Sequence, residues 1–156
     1  MKIRRAVNAD IPRLLDLLSQ VLEIHAAIRP DIFRSGTTKY TKEELTGIIA
    51  NDNTPVYVAA DDDDTLMGYA FRVIKSPAFT STMHPKSQFY IDDLCVDEKY
   101  RDRHIGRSLF EHVLAEGKKL GCYEVTLSVW AGNDAAELFY EKMGMKTKSR
   151  IMEYIL

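Results

Sequence analysis

The sequence predicts an α/β fold: one domain spanning residues 1–156, with a mixed sheet flanked by helices in the order βααβββαβαβ. Three observations carry this prediction. Short runs with strand-like alternation are interleaved with segments whose apolar residues recur at helical spacing. The second half reads strand, helix, strand, a crossover of the kind that joins parallel neighbours. The 156 residues contain no long linker, repeat or low-complexity stretch, and a chain of this size buries roughly 70% of the surface its unfolded form exposes.

The elements follow in order. Residues 1–7 alternate loosely as a first strand. Asn8 or Asp10 can cap the next helix, with Pro12 tolerated in its first turn. Ile11, Leu14, Leu15, Leu18, Val21, Leu22 and His25 fall on one face of that helix, and Arg29-Pro30-Asp31 ends it. Thr41-Lys42-Glu43-Glu44 has the capping-box form and opens a short second helix. Residues 56–60 and 66–75 form a hairpin around the acidic turn 61–64. Residues 76–88, with Pro77 and Pro85, are a loop, and 89–96 form an apolar strand interrupted by Asp92 and Asp93. A charged turn leads into a helix over 105–120 that Gly121 ends. Residues 123–129 are a strand, Asn133 caps a helix that Gly144 stops, and residues 145–156 form a last strand.

Composition narrows the function. Apolar residues make up 46%, charged residues 28%, and the net charge is −2. So balanced a chain has no bulk attraction to nucleic acid or membrane, and any anionic ligand needs a local site. The N-terminal residues lack the apolar region of a secretion signal, and no run approaches the ~20 apolar residues of a membrane span. The expected compartment is the cytoplasm. Cys95 and Cys122 lack redox or disulfide spacing and read as reduced core thiols. The four histidines do not combine with cysteines at zinc spacing, so no metal is expected. The G-x-S-x-G, H-E-x-x-H and G-x-x-x-x-G-K-[ST] patterns are absent.

Two places carry chemistry. The turn Arg101-Asp102-Arg103-His104-Ile105-Gly106-Arg107-Ser108 joins an apolar strand to a helix. Unpaired amides at the helix start, the helix dipole and three arginines make an anion site there, and Gly106 permits close approach of a ligand. An ordinary solvated turn is the competing reading. Asp92 and Asp93 form the second place. Adjacent residues of a regular strand point to opposite faces, so at least one carboxylate meets the interior or a cavity, where it costs free energy unless paired.

The turn resembles the phosphate loop of the GNAT superfamily of acyl-CoA N-acyltransferases, Arg/Gln-x-x-Gly-x-Gly/Ala, here Arg101-x-x-His104-x-Gly106 with histidine where glycine is usual. A histidine there needs a strained positive φ if the loop is conserved in shape. Asn133-Asp134-Ala135-Ala136-Glu137-Leu138-Phe139-Tyr140-Glu141-Lys142-Met143-Gly144-Met145 is similar to the family's Asn-x-x-Ala-x-x-x-Tyr-x-x-x-Gly-Phe helix, with Met145 replacing phenylalanine. The order of elements matches over nearly the whole chain.

The resemblance implies a GNAT-like fold and acetyl-CoA as co-substrate. The backbone of Leu94, Cys95 and Val96 would pair with the pantetheine arm, residues 101–108 would cradle the pyrophosphate, and Asn133 would bind the pantetheine. Tyr140 would protonate the leaving thiolate; a tyrosine of ordinary pKa, near ~10, holds its proton at neutral pH. Tyr90-Ile91-Asp92-Asp93-Leu94 resembles the Tyr-Leu-Glu-Asp-Phe stretch of polyamine acetyltransferases, where the position matching Asp92 carries a carboxylate implicated as base. Asp92 and Asp93 are thus candidates for base or for binding a cationic acceptor. An unshifted aspartate, near ~3.9, is a poor base for an ammonium, so desolvation or an ordered water would be needed.

His25, at the end of the first helix, would border the acceptor as base or contact; its competing role is structural, suited to the helix dipole. Trp130 either walls the acceptor channel or closes the core. Cys95 as an acyl-carrying nucleophile stands against the family's usual direct transfer. The implied acceptor is a small-molecule amine or a peptide N-terminus, with the oligomeric state open and a homodimer among the readings. The rivals are a non-catalytic acyl-CoA-binding module and a nucleotide- or nucleic-acid-binding domain using the basic turn Arg101 to Arg107, with nucleic acid disfavoured by the acidic balance and the lack of a basic stripe.

Overall fold

A computed structural model describes all of residues 1–156. The elements are β1 (Lys2–Arg5), α1 (Ile11–Ile28), α2 (Lys42–Ala50), β2 (Val56–Ala60), β3 (Leu66–Lys75), β4 (Gln88–Val96), α3 (Ile105–Lys119), β5 (Glu124–Thr126) and α4 (Asp134–Lys142). The sheet order is β1-β2-β3-β4-β5. The first four strands are antiparallel neighbours, and β5 joins β4 in parallel after the crossover through α3.

Local signals account for most boundaries. Thr41 and Glu44 form the expected capping box: the Glu44 amide donates to Thr41 Oγ1 at 3.2 Å, and the Thr41 amide donates to the Glu44 carboxylate at 2.7 Å. In the hairpin turn, Asp61 accepts from the amides of Asp63 and Thr65 at 3.0 and 2.9 Å. At the start of α1 the capping is different from the expected form. A 3-10 turn over Asn8–Asp10 precedes the helix, and neither Asn8 nor Asp10 caps it through a side chain. Buried Asp10 instead accepts from the Val7 amide at 2.8 Å and from both Arg4 guanidinium nitrogens at 2.8 and 2.9 Å. The ion pair anchors β1 to the helix entrance.

The sheet separates two cores, because period-two alternation sends successive side chains to opposite faces. On one face Leu14, Leu17 and Leu18 of α1 and Leu45 of α2 pack on Val56, Val58, Tyr69 and Phe71. On the other, Ile105, Leu109, Phe110 and Val113 of α3 pack on Ala59, Ala70, Phe89 and Ile91. The central strands β2 and β3 are buried through nearly their whole length. No helix is long and apolar enough to cross a membrane.

Two expectations fail near the C-terminus. The strand expected over 123–129 pairs only across Glu124–Thr126. The strand expected over 145–156 does not form: residues 146–156 make no backbone hydrogen bond. A strand exists only through a neighbouring backbone, and alternation in sequence supplies no neighbour. Here the fold offers the tail none from within its own chain.

Candidate active site

The turn after β4 is fixed from below by Asp97, 1% exposed. Its carboxylate accepts from the Lys99 amide at 2.8 Å and from Arg13 and Gln20 of α1. Above it the chain takes two left-handed residues, Asp102 (φ 63°) and His104 (φ 59°), the latter capping α3. The strained conformation expected at His104 is therefore adopted by a non-glycine residue. The amides of Ile105, Gly106 and Arg107 have no backbone partner; the first bond in α3 runs from Ser108 to His104. The result is a row of donors at the positive end of a helix dipole.

The side chains divide unevenly. Arg101 and Arg103 are exposed beside the turn, with Arg103 lying 5.4 Å from the Tyr100 ring centroid. Arg107 is engaged with Glu111 at 2.8 Å. At Gly106 the φ is ordinary, and a Cβ there would meet Val96 and the Phe139 ring at 3.4 Å, an ordinary contact distance.

β4 supplies the second component. It pairs with β5 only over Gln88, Phe89 and Tyr90, so its β5-side edge is free from Ile91 to Val96. Beyond Thr126 the following segment no longer pairs with β4, so this free edge runs on to the phosphate-like turn. An extended ligand can pair with such an edge as an added strand.

A β-bulge changes the reading of the two aspartates. Phe71 pairs with Asp93 and Arg72 with Ile91, so Asp92 is an extra residue with no counterpart on β3. The bulge resets the alternation. Phe89 and Ile91 face the α3 core, whereas beyond the bulge Cys95 enters the α1/α2 core. Asp92 and Asp93 thus do not point to opposite faces as a regular strand would require. Asp92 meets Lys39 and Tyr40 from the segment before α2, while Asp93 lies beside the Tyr69 hydroxyl on the same side of the sheet.

Their environments separate their protonation. Burial pushes Asp92 upward, but hydrogen bonds from Lys39 (2.8 Å) and Tyr40 (2.6 Å) outweigh it and hold the carboxyl below its usual range. Asp93 lacks such a cation contact. Burial foremost, with the neighbouring Asp92 charge adding and Lys39 opposing, pushes it up to about 6. Of the two, Asp93 has the proton affinity of a working base at neutral pH. Sequence reasoning missed Lys39, Tyr40 and Tyr69; they are distant in sequence, and no local pattern marks them.

Tyr140 of α4 packs against Phe110 and Phe139, with centroids 6.0 and 5.1 Å away. Burial drives its pKa well up, and the charges of Asp93 and Cys95 add to that. Tyr140 therefore remains protonated and shares a field with Asp93. Asn133 caps α4, accepting from the Ala136 amide at 3.4 Å through Oδ1, which leaves its side-chain NH₂ for a ligand. Leu94 and Val96 pack against the α3-side core. The Cys95 thiol points away into the core toward the Leu17 carbonyl, and burial pushes it up to about 12, so it is no nucleophile at neutral pH.

The expected acceptor residues also meet. His25 stacks on Phe33 at 5.2 Å, and Phe33 meets Trp130 edge-on at 5.2 Å. Burial and the Lys39 charge lower the His25 pKa, which keeps its ring neutral. Phe33, absent from the sequence expectations, links the two that were named. No three His, Cys, Asp or Glu side chains converge as a metal site would need.

A parallel pair joined over three residues only, a bulged β4 and a donor-rich turn before a helix define an acyl-CoA transferase type of architecture. The chain matches the Acetyltransferase (GNAT) family over residues 18–145 and belongs to it. It is 37% identical over 60 residues to glucosamine 6-phosphate N-acetyltransferase of Arabidopsis thaliana, covering 38% of each protein. It is 34% identical over 70 residues to the ribosomal protein bS18-alanine N-acetyltransferase of Escherichia coli, covering 45% of this chain and 47% of that one. The matched stretches thus span less than half of these curated relatives. A mutant protein of Bacillus halodurans superimposes with a TM-score of 0.95 at 32% identity, covering 100% of this chain and 99% of the other.

Proposed function

We propose that this chain transfers an acetyl group from acetyl-CoA directly to a primary amine, on a small molecule or a peptide N-terminus. The observation that supports the reading is the free edge of β4 from Ile91 to Val96, leading into the donor-rich turn, with buried Tyr140 near enough to feel the charge of Asp93. Acetyl-CoA supplies an activated acetyl thioester. The pyrophosphate lies on the amides of residues 103–107, the pantetheine arm along Leu94, Cys95 and Val96, and Asn133 donates to that arm. The amine nitrogen attacks the thioester carbonyl. As the C–N bond forms, the nitrogen becomes more acidic and its proton passes to Asp93, directly or through a water. The C–S bond breaks and Tyr140 protonates the sulfur.

Asp92 has a different part: bound by Lys39 and Tyr40, it fixes the segment before α2 at the cleft wall. His25, Phe33 and Trp130 line the acceptor side. Relatives that acetylate a glucosamine phosphate and a protein-terminal alanine support an amine acceptor and leave both classes for the experiment. That experiment is a panel of amines with acetyl-CoA, read by thiol release. Turnover on any of them supports the reading; tight acetyl-CoA binding with none turned over would favour a regulatory acyl-CoA-binding module.

A further inference from the structure

Tyr69 of β3 is fully buried, and its hydroxyl has no hydrogen-bond partner at contact distance in the protein. A phenol buried in that way costs free energy, and a phenylalanine would fill the same space without the cost. Packing alone does not call for the hydroxyl.

The register of the sheet places it. Tyr69 pairs with Cys95 and Phe71 with Asp93, so Tyr69 and Asp93 are diagonal neighbours on the α1/α2 face. Such neighbours lie about 7–8 Å apart at the backbone, within reach of an aromatic side chain. Tyr69 meets the Phe71 ring edge-on at 5.0 Å, and Tyr40 stacks on Phe71 at 5.6 Å. The two tyrosines that share Phe71 thus serve one aspartate each. Tyr40 donates to Asp92 at 2.6 Å, and the Tyr69 hydroxyl lies beside Asp93.

The titratable groups around Asp93 come from four parts of the chain: Lys39 and Tyr40 before α2, Tyr69 on β3, Asp92 and Cys95 on β4, and Tyr140 on α4. Most of the donors among them are committed. Lys39 and Tyr40 are bound to Asp92, and the Cys95 thiol is turned to the Leu17 carbonyl at 3.7 Å. On the proposed function Tyr140 serves the departing sulfur. Tyr69 is left with a donor and no other acceptor.

We propose that Tyr69 is a positioning residue for the base: its hydroxyl donates to the Asp93 carboxylate when that group ionises, and so fixes its orientation and favours its charged form. The proposal rests on the function above only in calling Asp93 the base. A hydrogen bond to the charged form favours ionisation, whereas burial and the Asp92 charge oppose it. Without the Tyr69 hydroxyl, Asp93 would hold its proton through more of the neutral range and accept none from the amine there.

The test is Tyr69→Phe, which keeps the ring against Phe71 and removes the hydroxyl. NMR of isotope-labelled aspartate carboxyls follows Asp93 without substrate, its signal identified by loss in Asp93→Asn. Asp93 is expected to titrate higher in Tyr69→Phe than in the parent by roughly one pH unit, the scale of a lost hydrogen bond to a charged group. The lower limb of kcat/KM for the amine should move up with it. The loss at neutral pH should be several-fold and recover as pH rises, with KM for acetyl-CoA unchanged. An Asp93 titration that stays in place or moves down overturns the proposal, as does a rate loss equal at every pH. If no amine is turned over, the proposed reaction fails while the titration still decides the role of Tyr69. If the variant does not fold, the parent decides. The Cζ signal of labelled Tyr69 is expected to shift with the Asp93 inflection, and a signal that ignores that inflection overturns the proposal.

Discussion

The turn at residues 101–108 and the proposed acceptor wall are built differently. The turn works through backbone amides aimed outward at a helix start, so its side chains are replaceable; His104 occupies a left-handed position usually given to glycine, and the donor row is still formed. The proposed acceptor wall is made of side chains from separate segments: His25, Phe33 and Trp130 touch one another, and the Lys39–Tyr40 pair binds Asp92 of β4. A backbone-built site tolerates substitution, whereas a side-chain-built site has a chemistry that single changes alter. On the proposed function, binding of the co-substrate falls to the first and discrimination of the acceptor to the second.

The sharpest break in that comparison should come at Asp93. Asp93→Asn keeps shape and hydrogen-bonding capacity but removes the base, and kcat is expected to fall by ~10²–10⁴-fold with acetyl-CoA affinity retained. The same change should stabilise the fold. Folded Asp93 has its pKa raised to about 6 from an unfolded value of 3.8. The native state therefore binds more protons than the unfolded one between those values, and stability falls as pH rises through them. Above about pH 6 the asparagine variant should melt higher than the parent in a thermal scan. A variant that is both inactive and less stable would mean a structural role.

Tyr140→Phe comes next. It keeps the ring against Phe110 and removes only the hydroxyl, so kcat should fall at least ~10-fold with KM for acetyl-CoA nearly unchanged. A phenylalanine variant with parental kcat, measured where chemistry limits turnover, would reduce Tyr140 to packing.

On the backbone-built side the expected effects are smaller. Arg103→Glu should weaken acetyl-CoA binding several-fold in calorimetry, more at low salt, consistent with ~0.3–1 kcal/mol per charge near a helix terminus. Arg107→Glu should do less, because Arg107 is already engaged by Glu111. His104→Gly should be the mildest. Relief of a left-handed residue returns roughly 1–2 kcal/mol, of which greater unfolded-state freedom takes back roughly 0.4–1. A small rise in melting temperature with unchanged acetyl-CoA affinity is expected. A large loss of affinity would instead give the imidazole a ligand role.

The sequence disclosed these regions unequally for the same physical reason. Helical spacing, the Thr41–Glu44 capping box and the strand–turn–helix at residues 101–108 are local patterns, so the antiparallel strands, all four helices and the phosphate-like turn were legible. The bulge at Asp92 depends on what β3 offers opposite it, and no local rule announced it; regular alternation gave the wrong face for one aspartate. Lys39, Tyr40, Tyr69 and Phe33 matter through contacts with residues far along the chain. The tail has a strand-forming composition but no neighbour in its own chain, so the strand expected there is absent.

The division of labour between the adjacent aspartates is the centre of this account, and a pH–rate profile tests it most directly. With the best acceptor and acetyl-CoA, kcat/KM is measured from acid to alkaline pH for the parent, Asp92→Asn and Asp93→Asn. The account predicts a lower limb in the parent that inflects near the Asp93 value of about 6. That limb should persist in Asp92→Asn and disappear, with most of the rate, in Asp93→Asn. An inflection near 6 that survives in Asp93→Asn and vanishes in Asp92→Asn would contradict it and move the base to the residue held by Lys39 and Tyr40.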